Sequence, residues 1–238
     1  MSRITAIVSR ELRSYFFSPV GYVITALFLL LSGLLFSFLS FDQGQPASLR
    51  AVFEFGVWML LFICPAISMR AIAEERRMGT LEMLMSAPVS EVEVVLGKFF
   101  AALGFLLVML VPTLALVWAL ELYGRPDYGE LASGYLGMML AGAAYLASGI
   151  LASTLTTSQM AAFLVTLFFW IALSIGAKVL PGYLPEPWAT AAFAVDPEPR
   201  LRDFAIGLID TSHVVYFVSL TAVFLVAAVR SLETRRWR

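Results

Sequence analysis

Residues 74–90, Glu-Glu-Arg-Arg-Met-Gly-Thr-Leu-Glu-Met-Leu-Met-Ser-Ala-Pro-Val-Ser, bring together side chains able to move protons or bind charge. The adjacent carboxylates Glu74 and Glu75 beside Arg76 and Arg77 invite a catalytic reading, one acid and one base. Consecutive opposite charges at a helix end are, however, usually solvated or paired, and neither a nucleophile nor a metal-ligand set accompanies these. Gly97-Lys98 lacks the upstream glycine and the following Ser or Thr of a phosphate-binding loop. The chain therefore carries no site of its own for ATP hydrolysis. One His and one Cys exclude a His/Cys metal site, and the single Cys64 forms no internal disulfide. What remains is an amphipathic, mixed-charge island on which a soluble partner could grip.

The elements around the island are apolar. The chain is 60% hydrophobic and 14% charged, with a mean hydropathy of +0.86, whereas soluble domains carry about 25% charged residues. This is the composition of a polytopic membrane protein, and a net charge of −1 implies no nucleic-acid partner. A bilayer core needs about 20 apolar residues in a helix. Six stretches qualify: about 20–41, 52–72, 98–121, 130–155, 159–179 and 212–231. The fold class that follows is an all-α membrane protein with one transmembrane domain over residues 1–238 and no soluble domain. No span has an ionisable residue near its middle, which disfavours a proton-driven transporter and a charged-ring channel.

Lys and Arg orient the spans. With the N-terminus inside, eleven basic residues (Arg3, Arg10, Arg13, Arg70, Arg76, Arg77, Lys98, Arg230, Arg235, Arg236 and Arg238) are cytoplasmic. Five (Arg50, Arg125, Lys178, Arg200 and Arg202) are outside. The excess places both termini in the cytoplasm. The first apolar run is too long for a signal-peptide core and has no cleavage site after it, so it reads as a signal anchor.

Residues 2–16 read as an amphipathic interfacial helix. Ile4, Ile7, Val8, Leu12 and Tyr15 share one side, with Arg3, Arg10 and Arg13 on the other; a plain basic leader is the alternative. Ser18-Pro19 ends that helix and opens the next. Ser90 with Glu93 has capping-box spacing before span three, and Asp127 with Glu130 is a looser version before span four. Pro65 and Pro112 fall inside spans two and three and predict kinks. Gly137, Ala141, Ala144, Ser148 and Ala152 form a small-residue stripe on span four that permits close helix packing. In the outer segment 180–210, prolines rule out one long helix. Trp188–Val195 predicts a short helix, and 200–209 an in-plane helix with Leu201, Phe204, Ala205 and Leu208 on one face.

These features resemble the permease subunit of an ABC-2-type ABC transporter. The resemblance rests on six spans, an N-terminal interfacial helix, and Glu75-Arg76, Gly79-Thr80-Leu81-Glu82, Leu84 and Ala87-Pro88-Val89-Ser90 after span two, then Leu96-Gly97-Lys98 entering span three. The ends resemble the gliding-motility-type branch of that family. They carry Arg10-Glu11-Leu12-Arg13-Ser14-Tyr15-Phe16 with Ser18-Pro19, Gly207-Leu208-Ile209-Asp210, Val215-Tyr216-Phe217, and Leu232-Glu233-x-Arg235-Arg236-Trp237. The resemblance covers essentially the whole chain through short motifs in a shared order.

It implies an exporter in the bacterial cytoplasmic membrane that pairs with a cytoplasmic ABC ATPase and a second permease subunit. No cofactor binds this chain, and ATP sits on the partner subunit. It also implies that the segment around 74–88 is a coupling helix docking into the ATPase, through Glu75, Arg76, Gly79, Thr80, Leu81, Glu82, Leu84 and Pro88. The helix bearing Arg3, Arg10, Arg13 and Tyr15 becomes a connecting helix. Gly79 would break the coupling segment and Thr80 cap its second part. Two other classes stand beside this reading. One is a membrane scaffold or mechanical transducer that engages an ATPase without moving a substrate. The other is an intramembrane enzyme, for which the catalytic groups are missing.

Overall fold

The computed structural model describes residues 3–40, 48–80, 89–124 and 126–236. It is 86% helical, with no strand among the described residues. The helices in chain order are α1 (Arg3–Phe17), α2 (Pro19–Leu39), α3 (Arg50–Ser68), α4 (Ala73–Arg77), α5 (Glu91–Leu110), α6 (Leu114–Tyr123), α7 (Tyr128–Leu155), α8 (Gln159–Val179), α9 (Trp188–Ala194), α10 (Pro197–Ala205) and α11 (Thr211–Arg236). Six segments are long and apolar enough to cross a membrane: Pro19–Leu39, Arg50–Arg77, Glu91–Leu122, Tyr128–Leu155, Gln159–Gly182 and Thr211–Thr234. They coincide with the six expected spans.

Local chemistry sets the boundaries. Pro19 occupies the first turn of α2 directly after Ser18, where its missing N–H costs nothing. Ser90 and Glu93 form the expected capping box, so α5 begins well before its apolar run. The Asp127 carboxylate accepts the Gly129 N–H at 2.7 Å and starts α7, while Glu130 turns away to accept the Ser48 hydroxyl at 2.7 Å. Pro112 interrupts span three: a 3-10 turn, Val111–Thr113, separates α5 from α6. Pro65 lies three residues before the end of α3. The in-plane helix is shifted from its expected place. Asp196 caps it and Pro197 begins it, and it ends at Ala205, before Gly207 takes a φ of +95°. Leu201, Phe204 and Ala205 are buried as expected, but Leu208 falls beyond the helix and is exposed.

Helix α7 is the hub. It packs against α3, α5, α8, α10 and α11. Its stripe of Gly137, Ala141, Ala144, Ser148 and Ala152 is buried against these neighbours. A Cβ at Gly149 would lie 1.9 Å from the Ser68 Oγ, so only glycine lets the end of α3 cross α7 there. Six crossings return the chain to its starting side. Helices α1 and α4 thus lie at the end of the bundle that holds both termini, and α9 and α10 at the distal end.

Candidate functional site

Four charged side chains meet where α1, α4 and α5 converge. Glu11 is the fourth residue after Ile7 and the fourth before Tyr15, so it shares their face of α1, and both are buried. That face lies on α5, where Gly97 clears space: a Cβ there would sit 2.7 Å from the Ile7 Cγ2. One residue on, Lys98 is 1% exposed. Its ammonium donates to Glu75 Oε1 on α4 at 2.8 Å and to Glu11 Oε1 at 3.1 Å. Arg10 closes the group, donating to Glu11 at 2.8 Å and to Glu75 at 3.2 Å. Two cations and two carboxylates therefore interlock three helices. The hydrogen bond to Glu11 raises the Arg10 pKa. Burial opposes ionisation of Glu11, but Lys98 and Arg10 outweigh it and hold that carboxyl below its usual range. The Glu75 Oε2 atom is buried with no partner among the described residues.

Helix α4 is tied to α7 as well. Its own N-cap position, Ile72, supplies no side-chain oxygen. The Ser153 hydroxyl of α7 accepts the N–H groups of both Ile72 and Ala73, at 2.9 and 2.8 Å. These are amide protons that a helix start leaves unsatisfied. Arg76 reaches the other way, donating to the Thr154 carbonyl at 2.7 Å and the Thr156 carbonyl at 3.4 Å, where α7 runs out of intrahelical donors. Arg70 pairs with Glu74 at 3.3 Å and bonds the Ser18 hydroxyl at 3.3 Å, joining the α1–α2 corner to the same cluster. A cleft of about 320 Å³ lies among these groups, lined in part by Ser14, Tyr15 and Met78.

Eight of the twelve expected site residues are among those described. Glu75 and Arg76 direct their charges at the chain's own helices. Gly79 ends α4 with a φ of +71°, a conformation that favours glycine, as the expected break requires. The Thr80 hydroxyl donates to the Glu75 carbonyl at 3.2 Å. Thr80, expected as a cap, is itself in helical conformation directly after the turn at Met78 and Gly79; Leu81, Glu82, Leu84 and Pro88 lie outside the described residues. Tyr15 is buried and its hydroxyl meets the Ile67 carbonyl at 3.4 Å; Arg3 approaches Glu93 at 3.8 Å; Arg13 is exposed. Glu11, Lys98 and Ser153 are not among the site residues expected from the sequence, where Glu11 and Lys98 enter as members of longer motifs. A carboxylate on the apolar face of α1 was the available sign of a buried counter-charge.

The helical hairpins and the charged joint after the second span agree with a transporter membrane domain. The description of ABC-2 family transporter proteins matches residues 42–197, about two thirds of the chain. The chain belongs to the ABC-2 transporter family. A probable multidrug ABC transporter permease, YbhR of Escherichia coli strain K12, is 28% identical over 162 residues, covering 66% of this chain and 43% of that protein. The protein of the same name from Escherichia coli O157:H7 gives the same figures. The shared stretch thus spans under half the length of these relatives. The family match contains α3, α4 and α5 with the joint between them, and leaves α1 and α11 outside.

Proposed function

We propose that this chain is the membrane-spanning permease subunit of an ATP-driven ABC-2 exporter, working with a second permease subunit in a bacterial cytoplasmic membrane. A separate cytoplasmic ATPase docks on residues 77–88. The observation that carries this reading is the fixation of α4 on three sides. A push on residues 77–88 cannot move α4 alone. Through Glu75 it reaches Lys98 and the third span, through Arg10 and Glu11 it reaches α1, and through Ser153 and Arg76 it reaches α7. Arg77 and Met78 are exposed at the end of α4, where Met78, 61% exposed, offers an apolar contact. Glu75 and Arg76 then transmit force, and the partner's grip falls to their exposed neighbours together with Leu81 and Leu84. The motifs that resemble the gliding-motility-type branch all lie outside residues 42–197, and membership of that branch is part of the proposal. Amphiphilic cargo is in keeping with the apolar spans and with the multidrug description of the Escherichia coli relative.

Two measurements test the proposal. Purified alone, the chain shows no ATP turnover, and its cognate ATPase restores it; robust turnover by the chain alone refutes the assignment. In the complex, a double Leu81→Ala, Leu84→Ala variant loses ATPase co-purification to a greater degree than Glu82→Ala does. Buried apolar anchors at an interface are worth about 2 kcal/mol or more, and rim charges less. Full retention of binding and activity by the double variant returns the segment to a solvated loop.

A further inference from the structure

The distal half of the bundle holds a second cleft, about 200 Å³, between α3, α7, α8 and α10. Tyr145 and Trp170 form one wall, edge to face, with centroids 4.6 Å apart. The Trp170 indole N–H donates to the Ser148 hydroxyl at 2.9 Å, which fixes the ring. Tyr145 is 4% exposed and lines the cleft, yet its hydroxyl has no hydrogen-bond partner among the described residues. That hydroxyl opens on the cleft, where it can bond a polar atom of a ligand. Half-exposed Trp58 stands opposite.

Charge is confined to the mouth. Glu54 and Glu198 line it, with Arg202 as the single lining base. Their partners Arg50 and Lys178 belong to a wider adjoining cleft of about 560 Å³. From Glu54 to Leu61 the cleft runs two turns down α3, about 10 Å. Two carboxylates at the entrance and π faces within attract a cation, and the depth suits an apolar body. A space this small, against roughly 300–1,000 Å³ for a full ligand pocket, takes a head and its first few carbons.

We propose that this cleft binds the head of an amphiphilic organic cation, with Glu54 and Glu198 as counter-charges and Trp58, Tyr145 and Trp170 as the aromatic enclosure. It deepens the transport reading by giving the chain a substrate class, and its test needs no ATPase, so the two fail separately.

The probe is radiolabelled dodecylammonium, with dodecyl sulfate as the anionic control. Equilibrium dialysis measures binding to the full chain in phosphatidylcholine nanodiscs, with empty nanodiscs subtracted. The expected result is saturable binding of the cation and only partitioning of the anion. Glu54→Gln with Glu198→Gln weakens the cation about tenfold or more, and Tyr145→Phe weakens it about threefold. Arg202→Gln tightens it, which a folding defect cannot do. Nanodiscs containing phosphatidylethanolamine identify the source: competition names a bilayer amine lipid, and no competition names a soluble cation, the site standing in both cases. Equal saturable binding of dodecyl sulfate, or unchanged binding by the double carboxamide variant together with Arg202→Gln, overturns it.

Discussion

At the scale of single residues, Lys98 is where this chain concentrates its electrostatic risk. A buried ammonium is tolerated only because two carboxylates hold it. Breaking such a pair typically costs about 3–5 kcal/mol. Glu11 and Glu75 keep some access to water and retain Arg10, so Lys98→Met is expected near the low end, about 3 kcal/mol, as a lowered thermal unfolding midpoint at pH 7 in detergent. The pH dependence has a definite sign. The folded chain depresses the Glu11 pKa. Its stabilisation is therefore complete above the ordinary carboxylate value of 4.5 and is lost as pH falls through the lower folded value. In Lys98→Met the main depressing charge is gone and the Glu11 carboxyl protonates more readily. The gap between wild type and variant should accordingly narrow from pH 7 to pH 4. A gap that stays constant assigns Lys98 a packing role instead.

At the scale of elements, the joint between α1 and α5 depends on Gly97. In Gly97→Ala the added carbon meets the Ile7 Cβ at 2.9 Å and Cγ2 at 2.7 Å. Two packed helices must separate, at about 1–3 kcal/mol. Trimming the neighbour should relieve this, so Gly97→Ala with Ile7→Ala is expected to lose less stability than the sum of the single changes. Additive losses mean that the helices do not rely on this contact. Much of this scale was legible beforehand. Pro19, Ser90, Asp127, Pro112 and Gly79 each mark a boundary by backbone chemistry that needs no tertiary information. What could not be read was partnership. Nothing local says that Lys98, written beside an apolar run, faces a glutamate 87 residues earlier, or that the hydroxyl of Ser153 caps a helix 80 residues away. Periodicity puts Glu11 on the apolar face of α1, but only the packing of three helices shows what it meets. The shift of the in-plane helix to Pro197 has a different origin: the Asp196 cap and Pro197 that set its start are local signals, whereas the apolar face alone suggests a start at Arg200.

At the scale of the whole molecule, the basic residues predict orientation. With both termini cytoplasmic, a cysteine replacing Arg77 resists a membrane-impermeant thiol reagent in intact cells, and one replacing the 84%-exposed Tyr183 reacts. The native Cys64, at 0% exposure, stays silent in both. The reverse labelling pattern inverts the topology and removes the ATPase from residues 77–88.

The central position of α7 also governs how the protein is made. Helix α3 barely touches α5 and finds its main partner in α7, whereas α5 packs chiefly on α1 and only then on α7; α7 leaves the ribosome fourth among the spans. Until then, the packing of α1 on α5 and of α2 on α3 is most of what joins the first three spans, and the serine that secures α4 has not been synthesised. The hydrogen bonds that fix α4 to α7 therefore form only after the fourth span is made, so the joint that would receive an ATPase is completed late in translation.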